Sequence, residues 1–67
     1  MIKVRLQELL DRDERSLNWV ATKTNLSYAS LHKLVNSKTT SISFDVLDKL
    51  CVLFKCNTES IIEHIEE

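Results

Sequence analysis

The sequence predicts an all-α fold, a compact five-helix bundle, and three observations carry that expectation. The 67 residues include no glycine and no proline, which removes most of the punctuation that strands and hairpins need. Apolar residues recur at helical spacing almost throughout the chain. Ser and Thr side chains stand at expected helix starts, where they can accept an orphan backbone N–H. Asn25, Asn36 and Asn57 stand where helix ends ask for the left-handed conformation.

Leu6, Leu9 and Leu10 mark a first helix over about residues 4–13. Ile2 and Val4 alternate, a pattern that leaves a short extended segment before that helix open. Ser16 caps a second helix with Leu17, Val20 and Ala21 inward, ending near Thr24. Ser27 caps a third, with Leu31, Leu34 and Val35 inward, ending near Asn36. A loop over Ser37–Ser43 leads to a fourth helix from Phe44 to about Lys55, whose apolar face holds Leu47, Leu50, Cys51 and Phe54. Thr58 caps a fifth helix carrying Ile61, Ile62 and Ile65. Without repeats or linkers, residues 1–67 are expected to form one domain, near the size where a core is marginal and only ~60% of the unfolded surface is buried.

The hydrophobic share of 43% suits one small core and is too high for a disordered tail. No apolar run is long enough for a membrane span and no charged-then-apolar leader is present, so the chain is expected to be cytoplasmic, with no membrane partner. A zinc site from Cys51, Cys56 and His64 lacks the close ligand pairing such sites use, so no metal is expected. Cys51 reads as a small hydrophobe on its helix face, and the two cysteines make no disulfide framework. A Gly-rich phosphate loop is impossible without glycine. No Ser, His and carboxylate set is placed by a motif, and so short a chain has little room for a closed pocket. No enzyme activity, cofactor or small-molecule ligand is expected.

The charges are distributed unevenly. The formal net charge of −1 divides into −1 over residues 1–14, +4 over 15–44 and −4 over 45–67. The middle window contains Arg15, Lys23, Lys33 and Lys38, many hydroxyls and amides, and no acid. A surface that approaches phosphates must exclude carboxylates, since each one repels the backbone it would meet.

That window also has the internal spacing of a helix-turn-helix. A small Ala21 lets the next helix approach, Asn25 supplies a left-handed turn, Leu26 plugs it, and Leu31 and Leu34 anchor the second helix. With these residues in place, nearly the whole chain resembles a known family, the phage lambda repressor and Cro type (xenobiotic response element family) of helix-turn-helix transcriptional regulator. It is most like the short single-domain bacterial and prophage members. The resemblance is carried by Val4–Leu10, Ser16–Ala21, Thr24–Tyr28, Leu31–Lys38, Ile42–Cys51 and Cys56. It implies a lambda repressor-like bundle of five helices whose third enters the major groove, and a regulator of transcription in a bacterium or prophage, acting at the nucleoid. Three departures stand out. Leu17 replaces a Gln that in many members braces a phosphate contact. Asn25 and Ser37 replace frequent glycines. Trp19 and Val52 occupy positions that are more often polar.

A third helix beginning at Ser27 presents Ser27, Tyr28, Ala29 and Ser30 outward in its first turn, with His32 and Lys33 one turn on and Asn36 beyond. Helix-turn-helix proteins read base edges with the N-terminal part of this helix. Ala29 suits a thymine methyl and Lys33 a guanine edge. The helix N-terminus at Ser27 suits a phosphate, and Lys38, Thr39 and Thr40 suit the backbone beyond the helix. Blander readings stay open: Tyr28 covering the helix junction, His32 as a solvated histidine, Lys38 as an ordinary loop lysine, Trp19 as half-buried packing.

The sequence therefore points to a sequence-specific DNA-binding regulator, expected to be a repressor. A homodimer on an inverted-repeat operator is expected, because one helix reads few base pairs and two copies would set their helices one DNA turn apart, ~34 Å. Val52, Ile2 and the Ile62–Ile65 face are candidate dimer surfaces. The alternative is an interaction module of the same fold, antitoxin-like or antirepressor-binding, supported by an exposed Trp19, acidic ends and the lack of Arg in the third helix.

Overall fold

The computed structural model describes residues 1–66. In chain order the elements are β1 (Ile2–Val4), α1 (Leu6–Asp13), α2 (Leu17–Thr24), α3 (Tyr28–Val35), α4 (Phe44–Phe54), one 3-10 turn at Thr58–Ser60, and β2 (Ile62–His64). Leu6, Leu9, Leu10, Val20, Leu31, Leu34, Leu50, Phe54 and Ile61 form the buried core. Leu17, Ala21, Val35, Leu47 and Cys51 pack against it half-buried. No helix among the described residues is long and apolar enough to cross a membrane.

The fold is mostly helical, but the expected fifth helix is absent. Thr58 sits inside a single 3-10 turn instead of capping a helix, and the chain then extends into β2. Ile61 is fully buried at the bend. Beyond it β2 pairs antiparallel with β1, matching Val4 with Ile62, Lys3 with Glu63 and Ile2 with His64. Three isoleucines at helical spacing misled the periodicity, since β-branched side chains favour the pleated conformation and so short a helix is marginal. The decisive term is non-local: β1 supplies backbone partners that a helix would leave unused. The Ile65 N–H extends the ladder to the Met1 carbonyl at 2.8 Å.

Helices α2, α3 and α4 are capped as the sequence implies. The Ser16, Ser27 and Ser43 hydroxyls accept from the Trp19, Ser30 and Val46 N–H groups at 3.1, 3.4 and 3.1 Å. Helix α1 differs, with Arg5 at its N-cap and no side-chain cap bond. The chain, lacking glycine, turns left-handed at Glu14, Asn25, Ser37 and Lys55. Only Asn25 is among the three asparagines expected there. At the end of α3 the Asn36 amide donates to the His32 carbonyl at 2.8 Å, so Asn36 stays right-handed and Ser37 makes the turn one residue later. Asn57 is extended, and Lys55 turns the end of α4.

Candidate nucleic-acid interface

Helices α2 and α3 pack on each other through the turn that the sequence spells out. Asn25 adopts φ 60 and ψ 26, and Leu26 is half-buried against the core. Thr24 locks this corner: its buried hydroxyl donates to the Val20 carbonyl at 2.7 Å and accepts from the Leu26 N–H at 3.3 Å. Expected in the sequence as the end of the second helix, Thr24 is also an internal strut. Its signal was position, one residue before a left-handed Asn, where a hydroxyl can serve both sides of the turn.

Leu31 and Leu34 hold α3 to the core. Ser27, Tyr28, Ala29, Ser30, His32, Lys33 and Asn36 are all exposed. Along the outer face Tyr28, His32 and Asn36 make one row, four residues apart. The Tyr28 and His32 rings stack with centroids 6.0 Å apart and 26° between planes. The Asn36 amide nitrogen lies 3.3 Å from a His32 ring nitrogen. Ala29 and Lys33 form the adjacent row at the same spacing. Each member of the aromatic–polar row therefore restrains the next, and the face is ordered by its own side chains.

The loop after α3 runs beside the start of that helix. Ser27, Ser30, Thr39, Ser41 and Ser43 line a shallow groove floored by Leu26, Leu34 and Ile42. Thr39 and Ser41 also border a second, adjoining groove, where Thr40 joins Ile2, Val4 and Ile62. The fold thus brings Thr39 next to Ser27 and Ser30, while Thr40 adjoins the sheet. Lys38 is exposed and its N–H is held by the Lys33 carbonyl at 2.8 Å. Among the described residues, the ion pairs gather on α1, its flanking strands and α4, not on α3.

Leu17, half-buried against the core, offers no polar brace to a phosphate. Trp19 is half-buried too. Its ring meets Phe54 edge-on at 6.2 Å, and the Arg15 guanidinium lies over it at 4.6 Å.

Two short helices joined by a left-handed turn, the second presenting a polar, acid-free face, define the helix-turn-helix class of DNA-binding domain. A family model of the Cro/C1-type helix-turn-helix DNA-binding domain matches residues 5–67, and the chain belongs to that family. Its general role is that of a DNA-binding regulator. Among curated proteins, none matches the chain.

Proposed function

We propose that this protein is a sequence-specific transcriptional repressor that reads the major groove with α3. One observation carries the reading: the two exposed rows of α3, Tyr28–His32–Asn36 and Ala29–Lys33, rise from a helix anchored by Leu31 and Leu34, in a window of +4 charge without an acid. Tyr28, Ala29, His32 and Lys33 take the base edges, with Asn36 at the far end of the row. Ser27, Ser30, Lys38, Thr39 and Thr40 hold the phosphates and fix register. Residues 1–67 act as one domain, two copies bind an inverted repeat, and the site of action is the nucleoid of a bacterial cytoplasm. Ile2 and Val52, both strongly exposed, are among the apolar side chains that could join the copies, with Phe44 more exposed still. No catalysis is part of this reading.

Of the three features behind the interaction-module reading, the packing of Trp19 between Phe54 and Arg15 weakens one, while the acidic ends and the lack of Arg in α3 stand. Titration with random duplex DNA at rising salt separates the two. Binding that falls linearly in log–log salt, with slope about −0.9 per phosphate contacted, supports the DNA reading. No binding at the lowest salt favours a protein partner. Selection from a random duplex library then tests sequence preference and half-site symmetry together.

A further inference from the structure

The two cysteines play no part in the interface, yet the fold brings them together. Lys55 turns left-handed at φ 53 and ψ 50 to end α4, and the Cys56 N–H folds back onto the Cys51 carbonyl at 3.1 Å. This is the six-residue clasp of a Schellman turn, in which the side chains at its two ends normally make an apolar contact. Here both ends of the clasp are thiols. Covalent geometry with that hydrogen bond limits the Cα separation to about 7 Å, within or near the span a disulfide bridges. Both thiols are free and only partly buried. Burial, then the neighbouring Cys51 thiol, push the Cys56 thiol above its ordinary value, with Arg12 opposing.

We propose that Cys51 and Cys56 form a reversible vicinal-type redox pair, closing into an intramolecular disulfide across the C-terminal clasp of α4 when the protein meets a small-molecule disulfide or peroxide. With a small disulfide R–S–S–R, the Cys51 thiolate attacks one sulfur, forming Cys51–S–S–R and releasing RS⁻. The Cys56 thiol then loses its proton to solvent and attacks Cys51 Sγ, forming the Cys51–Cys56 bond and releasing a second RS⁻. Two protein thiols are oxidised by two electrons and one R–S–S–R is reduced to two RSH. With hydrogen peroxide the first step leaves a sulfenic acid on Cys51 and releases water, and the second releases another water. The reluctance of Cys56 to ionise is offset by its fixed position beside its target, which makes the second step intramolecular. In the sequence Cys51 reads as a small hydrophobe on a helix face and Cys56 lies just past the expected helix end, so nothing there pairs them. Only the left-handed turn at Lys55 folds the second one back.

The test equilibrates the full chain with mixtures of oxidised and reduced glutathione under native conditions, followed by acid quench and intact-mass measurement. The expected product is a monomer lighter by about 2 Da with no free thiol, fully restored by dithiothreitol. Cys51→Ser and Cys56→Ser variants, checked for native circular dichroism, should instead accumulate a single glutathione adduct under the same conditions. A wild-type chain that keeps both thiols, carries stable glutathione adducts, or links only between chains would overturn the proposal. Because the readout is covalent mass, it is independent of whether the chain binds DNA.

Discussion

Arg5 and Glu63, near opposite ends of the described chain, face each other with guanidinium and carboxylate 3.8 Å apart. The Arg5 backbone N–H donates to the Ile61 carbonyl at 2.6 Å, and its side chain also grips Glu8 through two bonds of 2.9 and 3.1 Å. Arg5 thereby stands where a Ser or Thr cap would stand in the other helices. It ties the start of α1 to the final strand.

This arrangement has a pH signature. The hydrogen bond from Arg5, helped by its charge, holds the Glu8 carboxyl below its ordinary range. A depressed carboxylate contributes stability that is present at neutral pH and lost as pH falls through the carboxylate range. Glu8→Gln should therefore be slightly less stable than wild type near pH 7 and equal to it near pH 2. Because the pair is solvent-exposed, the difference should be small and shrink with salt. Thermal unfolding midpoints across that pH range check it, and parallel curves would rule the linkage out.

Ile61 is fully buried at the bend between the 3-10 turn and β2. Ile61→Ala should cost ~2–5 kcal/mol, the usual range for emptying a core site. The exposed Val52 should tolerate the same truncation within ~0.5 kcal/mol. Urea unfolding of the two variants gives the contrast directly. Similar losses would mean that the C-terminal segment does not dock as described.

Lys33 and Lys38 are joined by a backbone hydrogen bond of 2.8 Å, yet their side chains leave from a helix face and from a loop. Lys33→Ala should cost ~1–3 kcal/mol on a selected operator and much less on random duplex, as expected for a base contact. Lys38→Ala should weaken both by similar amounts and reduce the salt slope by about one. Fluorescence anisotropy titrations on both duplexes decide it. Equal losses for Lys33→Ala would move base reading to Tyr28, Ser30 and Asn36.

Ser37 holds φ at 56 without being glycine. Left-handed backbone costs an ordinary residue roughly 1–2 kcal/mol, and a glycine returns part of that through its looser unfolded chain. Ser37→Gly should then stabilise by ~0.5–1 kcal/mol, and Ser37→Val should destabilise. Denaturant midpoints report both, and a destabilised glycine variant would count against stored strain at this turn.

The local features of this fold are written locally. Ser16 and Ser27 cap helices because their side chains reach the N–H three residues on, and Asn25 turns left-handed as its type allows. The helix-turn-helix and the exposed face of α3 follow from these short-range facts, so they were legible in the sequence. Part of what was not legible depended on partners distant in sequence. Ile62 reads as helical until Val4 stands opposite it. Another part was local: Asn36 and Ser37 exchange roles because the Asn36 side chain takes the His32 carbonyl four residues back. The sequence leaves half-buried packing of Trp19 as an open reading, and the fold supplies its partner, Phe54.

The strand pairing has a consequence for the order in which the molecule is made. Synthesis delivers β1 before its described partner, β2, with all four described helices between them. The corner between α2 and α3 is closed by local bonds of Thr24 to Val20 and Leu26, but both helices draw their burial from a core shared with α1 and α4. The strip at Ile2–Val4 must wait with its edge open, and its closure carries the largest loop entropy in the fold. The sheet is thus the contact with the longest loop to close, and it ties down the two ends of a core that the helices between them fill.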